Sequence, residues 1–300
     1  MYVFSWALVN EGVDDVVQFL SDLGITHVVV ASLYHAGYFL HPHDPRRKVH
    51  MLEDGVAYFH PTDSFYTDSP IRPKVAELCK QTDWFDRICQ RVSDAGMKVG
   101  AWTVCLHNTR IGLEHPQCTI QNVYGDSYPH ALSPAHPDAR AFVRAVVADL
   151  ADTIEAFCAA VPALKDLASY YRRAESDFLA ELSEEARRHD VKLMGGLDPS
   201  IDIVGTGVYG EPLERVASIT KQAKARLLPH QTLSVAVRLG FNGPNMRTPI
   251  LTEEALCDVV RTIDENGADQ VGFYNYAESP RRPIEWIRAA LRRGGVRSER

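Results

Sequence analysis

Imidazoles, phenols and carboxylates crowd into two stretches of this chain. Nine of the twelve histidines, His35, His41, His43, His50, His60, His107, His115, His130 and His136, lie in or beside residues 34–82 and 105–135. They are interleaved with Tyr34, Tyr38, Phe39, Tyr58, Phe59, Phe65, Tyr66, Tyr124 and Tyr128. Aromatic faces offer a stacking surface to the C–H face of a sugar ring, and imidazole and amide groups make the directional hydrogen bonds that hydroxyls need. Other polar residues sit just past short β-branched runs: Tyr34 and His35, His107 and Asn108, Asp198, Tyr209, Arg238 and Asn242, then Tyr274, Asn275, Tyr276 and Glu278. Asp198 and Glu278 are the carboxylates of that set. Two carboxylates suit glycosidic-bond cleavage, which separates leaving-group protonation from cation stabilisation or water activation. Asp198 precedes Pro199, a pairing that also initiates turns, and Glu278 could equally pair with Arg281 or Arg282.

Other chemistries find less support. His41-Pro42-His43, and His35 with His107, are conceivable metal ligands, but no His-Glu-x-x-His or equivalent spacing is present, and no metal centre is expected. A Gly-x-Ser-x-Gly elbow is missing, and neither Gly205-Thr206-Gly207 nor Gly294-Gly295 leads into an anion-binding helix start with a lysine. No cofactor is expected. Two alternatives to a glycosidase stay open: an isomerase or lyase using His35 or His107 as base, and a non-catalytic carbohydrate-binding protein on a hydrolase scaffold.

The elements that must hold these residues alternate strand and helix. The runs 2–8, 27–31, 98–104, 191–195, 201–205, 233–237 and 270–274 read as strands. Helical spacing marks 13–20, ended by Gly24, then 84–92, 138–158, 175–188, 211–227, 253–265 and 284–291. Seven strands are identifiable where a (β/α)8 barrel needs eight. The gap falls between Phe157 and Tyr170, where only Ala160-Val161-Pro162-Ala163-Leu164 offers a fourth. The expected fold is therefore α/β: a TIM-like barrel in a single domain over residues 1–300, irregular or incomplete at strand four. Long connections follow strand two (34–82) and strand three (105–135), against the usual 2–6 residues. Both leave the C-terminal ends of their strands, the face on which barrel active sites sit.

Composition narrows the partners. With 39 acidic against 32 basic residues the formal charge is −7, which provides no cationic field for nucleic acid. The apolar runs are far below the ~20 residues of a membrane helix. The start lacks a basic region and a small-residue cleavage site, so cytoplasmic residence is the expectation. Six scattered cysteines without a Cys-x-x-Cys pair fit thiols in a reducing compartment.

The stretch Ala101-Trp102-Thr103-Val104-Cys105-Leu106-His107-Asn108-Thr109-Arg110 is followed by His115-Pro116, Gly125-Asp126-Ser127-Tyr128-Pro129, Leu132-Ser133-Pro134 and Pro137-Asp138-Ala139-Arg140. Together with Val271-Gly272-Phe273-Tyr274-Asn275-Tyr276, it resembles bacterial glycoside-hydrolase-like (β/α)8 barrel proteins. The resemblance implies a sugar-like ligand at the C-terminal mouth, with His107, Asn108, Tyr274 and Asn275 lining it. The substrate-contacting set expected there is Tyr34, His35, Trp102, His107, Asn108, Tyr209, Arg238, Tyr274, Asn275 and Tyr276. Against that group the chain lacks a substantial segment around strand four, where Asp166 is the only carboxylate. Asp198 and Glu278 are thus the expected catalytic pair.

Overall fold

A computed structural model describes residues 1–157, 164–167, 180, 182–185, 188, 192–195, 199–239 and 252–294. Eight parallel strands follow one another in chain order: β1 (Tyr2–Val3), β2 (His27–Tyr34), β7 (Lys98–Thr103), β10 (Leu164–Leu167), β11 (Lys192–Gly195), β12 (Ile203–Val208), β13 (Thr232–Arg238) and β14 (Gln270–Tyr274). Each pairs in parallel with its neighbour in this series. Between β14 and β1 no ladder forms among the described residues. The two ends of the sheet meet through one backbone hydrogen bond just past β14, in which Tyr276 N–H donates to the Tyr2 carbonyl at 2.9 Å.

Three of these strands depart from the sequence reading. The opening run 2–8 is a strand only to Val3. Helix α1 (Ser5–Glu11) starts at once, because Phe4 and Trp6 both find burial inside the sheet's curve and the Ser5 hydroxyl donates to the Ala31 carbonyl. The sixth strand lies two to three residues later than expected, at Ile203–Val208, since its ladder to β13 starts at Ile203↔Thr232. The fourth exists as a four-residue stub in register with both neighbours: Asp166 lies opposite Trp102 on one side and Met194 on the other. The expected helix at 175–188 falls mostly outside the described residues, as do Asp198 and Asn242.

Helices α2 (Val13–Asp22), α3 (Trp84–Asp94), α5 (Pro137–Phe157), α6 (Leu213–Lys224) and α7 (Glu253–Glu265) return the chain between strands, and α8 (Arg281–Glu285) and α9 (Ile287–Arg293) follow β14. Their buried faces repeat at helical spacing, as in Phe142, Val143, Val146, Val147 and Leu150 of α5. Gly24, at φ +85°, turns the chain from α2 into β2 in a region a side chain would strain. No helix among the described residues is long and apolar enough to cross a membrane.

The two long connections carry structure of their own. After β2 come an antiparallel hairpin, β3 (Gly37–Leu40) with β4 (Val49–Leu52), then β5 (Val56–Ala57), which pairs with the end of β2, and β6 (Lys74–Val75) beside it. After β7 come α4 (Thr109–Glu114) and a second hairpin, β8 (Thr119–Gln121) with β9 (Ser127–Leu132). This hairpin rests directly on α4: a Cβ added to Gly112 would stand 1.9 Å from the Pro129 carbonyl oxygen. Gly112→Ala should therefore push the hairpin away and destabilise the protein by about 2–3 kcal/mol in denaturant unfolding; an unchanged midpoint would show that the two do not pack.

Candidate active site

Side chains alternate across a strand, so residues in register along the parallel sheet share a face. Val28, Val30, Val99 and Ala101 turn outward to the helices, while Val29, Ala31 and Trp102 turn inward with Tyr2. At the C-terminal ends this inner face is aromatic. Phe4 stacks between Trp6 (centroids 4.1 Å) and Trp102 (5.2 Å), and Tyr34 meets Trp102 edge-on at 5.0 Å. Phe39 from the first hairpin closes on Phe4 and Tyr34, and Tyr58 on Trp6. Tyr274 of β14 meets Trp102 at 5.6 Å. Phe4 and Trp6 were not in the expected set. The run 2–8 carries no mark of the strand's end at Val3, which is what puts Phe4 just past a strand terminus.

Glu278 sits against this wall. The chain leaves β14 through a cis Tyr274–Asn275 peptide into a tight turn in which the Asn275 amide does two things. Its Nδ2 donates to Glu278 Oε2 at 2.6 Å and its Oδ1 accepts the Glu278 N–H at 2.9 Å, while the Ser279 hydroxyl donates to the Asn275 carbonyl. Asn275 and Glu278 are both buried, at 1% and 8% exposure, so the amide is spent on holding the carboxylate. Burial pushes the Glu278 carboxyl above its ordinary pKa, against the opposing pull of the Asn275 amide and the Arg238 charge. Burial also raises the hydroxyls of Tyr34 and Tyr274, and the nearby Glu278 charge adds to both shifts. Arg238 of β13 spreads its guanidinium over Tyr209 (4.7 Å) and Tyr274 (5.6 Å), and Tyr209 is 43% exposed. Glu278 is not ion-paired to Arg281 or Arg282. Arg281 instead donates to the Tyr276 hydroxyl, and Arg282 lies over Trp286.

On the opposite side the imidazoles gather. His35 stacks on Tyr34 at 4.6 Å and on His107 at 4.6 Å, with His130 5.6 Å beyond. Partial burial, and then the nearness of His35 and His130, lower the His107 pKa, with Asp54 opposing. Tyr34, His35, Trp102, His107, Tyr209, Arg238, Tyr274 and Glu278 thus form one continuous rim.

Besides Asn275, whose amide holds Glu278, two expected rim residues have other work. Tyr276 is fully buried and turned away from the mouth, its hydroxyl donating to Glu11 (3.2 Å) and accepting from Arg281 (2.8 Å). Asn108 caps α4: its Oδ1 accepts the Ile111 N–H at 3.0 Å and its Nδ2 donates to the Gly55 carbonyl at 3.4 Å. Gly55, at φ +59°, lies so close that a Cβ there would come within 2.0 Å of the amide. Asn108 is therefore a clamp between the two long connections. Asn108→Ala should cost about 2 kcal/mol of stability, combining a lost cap with an orphaned carbonyl, as read by chemical denaturation; a loss below 0.5 kcal/mol, on the order of a surface substitution, would contradict the clamp. Side chains that could hold a metal lie outside the rim, in the first hairpin with Glu11 and around Cys118.

No protein-family model and no curated protein sequence matches the chain. Its fold, however, is shared with solved glycoside hydrolases. The β-galactosidase from the psychrophilic Marinomonas ef1 superposes over 100% of the chain at TM-score 0.64 and 12% identity. The α-L-fucosidase isoenzyme 2 from Paenibacillus thiaminolyticus superposes over 93% at TM-score 0.58 and 14% identity, and a glycoside hydrolase family 20 β-N-acetylglucosaminidase over 96% at 0.57 and 12%. The chain spans 60% of the galactosidase, 46% of the fucosidase and 67% of the glucosaminidase. These likenesses establish a glycoside-hydrolase-like α/β fold.

Proposed function

We propose that the protein is a glycoside-hydrolase-like enzyme with a (β/α)8 barrel, acting on a glycoside or other sugar-containing small molecule at the C-terminal mouth. The observation that carries this reading is Glu278: a carboxyl group buried beside Tyr34 and Tyr274 at the end of the eighth parallel strand, its pKa raised by desolvation. A carboxyl whose pKa is raised holds its proton to higher pH and can deliver it to a glycosidic oxygen. The aromatic wall supplies stacking faces, while Arg238, His35 and His107 offer hydrogen-bond partners to sugar hydroxyls. The second carboxylate of the pair is assigned to Asp198, which lies outside the described residues. Asp166, in register with Trp102, is the other position from which it could come.

The test is hydrolysis of β-galactosides, α-fucosides and N-acetyl-β-glucosaminides, each with a 4-nitrophenyl and with an alkyl leaving group. Glu278→Gln should lower turnover of the alkyl glycoside about 10²–10⁴-fold, and that of the nitrophenyl glycoside less, because nitrophenolate leaves without a proton. Activity of the wild type should fall as pH rises through the raised pKa of Glu278, since the acid works only while protonated. Undiminished turnover in Glu278→Gln would sink the assignment. Saturable binding of these sugars without cleavage would make the protein a carbohydrate-binding relative, and isomerisation lost in His107→Ala would favour the histidine-centred alternative.

A further inference from the structure

Behind the aromatic wall, the first hairpin gathers three ligand atoms that the mouth does not use. His41 follows β3 directly, His50 lies in β4 opposite Phe39, and Asp44 sits in the turn between the strands. All three are buried, at 0%, 8% and 0% exposure respectively. Asp44 Oδ2 stands 3.0 Å from His50 Nε2 and 3.5 Å from His41 Nδ1, yet neither approach is aligned as a hydrogen bond, and all three atoms are left without a partner. Buried polar atoms are ordinarily satisfied, and three orphans facing one point within 4.8 Å of one another call for a common partner.

The other side-chain atoms of Asp44 and His41 are engaged. Asp44 Oδ1 accepts the N–H groups of Arg46 (2.7 Å) and Arg47 (3.0 Å), which fixes the carboxylate and turns Oδ2 inward. His41 Nε2 lies 2.7 Å from Glu11 Oε1, and Glu11 Oε2 lies 2.8 Å from His43 Nδ1. A carboxylate can only accept, so His41 donates from Nε2 to Glu11, and Nδ1 is the atom it turns toward the Asp44 oxygen. A carboxylate hydrogen-bonded to the far nitrogen of a ligating histidine is the usual outer support of a metal site. The spacing also fits: a tetrahedral ion with ligands at about 2.0–2.1 Å holds its ligand atoms about 3.3–3.4 Å apart, and the two measured approaches to Asp44 Oδ2 bracket that value. The second ligand cluster, Glu11 with His41 and His43, is satisfied by its own hydrogen bonds and needs no ion.

We propose that His41 Nδ1, His50 Nε2 and Asp44 Oδ2 bind a divalent transition-metal ion of the zinc type, with Glu11 as the outer residue that orients His41. The donor set of two imidazoles and one carboxylate belongs to zinc rather than to calcium or magnesium, which prefer oxygen. Asp44 and His50 form part of the wall of a cavity of about 260 Å³, which gives an ion a way in. Bound there, the ion staples the two strands of the hairpin whose Phe39 closes the aromatic mouth. This site is independent of the glycosidase reading, and its test does not use that activity.

Untagged full-length protein, stripped with chelator and titrated with Zn²⁺, should take up one equivalent at micromolar metal and gain about 5 °C in Tm at excess zinc. Co²⁺ in place of zinc should give visible d–d bands of tetrahedral intensity and no sulfur charge-transfer band, which separates this site from the Cys118, His136, Asp138 group. Asp44→Asn and His50→Gln should each abolish the equivalent, Glu11→Gln should weaken it about 10–100-fold, and Cys118→Ser should leave it intact. Failure to bind an equivalent, a thiolate band, loss in Cys118→Ser, or retention in both Asp44→Asn and His50→Gln would overturn the proposal. The cobalt spectrum of the wild type decides on its own if a variant does not fold.

Discussion

Alternation of side chains along the parallel strands decides what this protein can do, because it splits one sheet into two environments. Outward residues such as Val28, Val30 and Val99 build the aliphatic core under the helices, while inward ones at the same level, Val29, Ala31 and Trp102, join an aromatic core with Tyr2, Phe4 and Tyr34. A one-residue slip in β2 or β7 would exchange the two sets and bury β-branched chains where the mouth needs flat rings. The rim is a consequence of that register. Tyr34, Trp102 and Tyr274 reach it from three different strands, and Glu278 is desolvated because they do.

The rim needs its two long connections as much as its strands. Phe39 and Tyr58 extend the wall of Phe4, Trp6 and Tyr34, and both come from the connection after β2. That connection is held from three directions: by β5 pairing with the end of β2, by the Asn108 amide reaching the Gly55 carbonyl, and by Thr62 N–H donating to the buried Asp149 of α5. A connection of this length without such anchors would forfeit too much conformational entropy to stay in one place. Here each anchor answers a backbone group that burial would otherwise leave unpaired.

Much of this was legible in the residues. Periodicity located most of the strands and helices, because each buries one stripe or one face and the sequence must alternate accordingly. The rim residues at strand ends, Tyr34, His35, His107, Arg238, Tyr274 and Glu278, follow from the same pattern. What periodicity could not supply was the direction of side chains in turns. Asn108 and Tyr276 have the right types and positions for ligand contact. One is consumed by a helix cap and the other by Glu11 and Arg281, and only tertiary proximity decides that. The opening segment misled for a related reason: a run of large apolar residues buried on all sides has no period, so strand and helix are indistinguishable in it.

The hairpin histidines show the same limit from the other side. A metal motif is readable when its ligands lie on one helix face or in adjacent turns, as in His-Glu-x-x-His. His41, Asp44 and His50 are brought together instead by cross-strand pairing, which sets Phe39 opposite His50 and Leu40 opposite Val49. The spacing that matters is the hairpin register, not the interval along the chain. Glu11 then enters from α1, thirty residues earlier than His41, to orient an imidazole that no local pattern positions. Orphaned atoms in a buried, otherwise satisfied network are the feature that reveals such a site, and they exist only once the fold has formed.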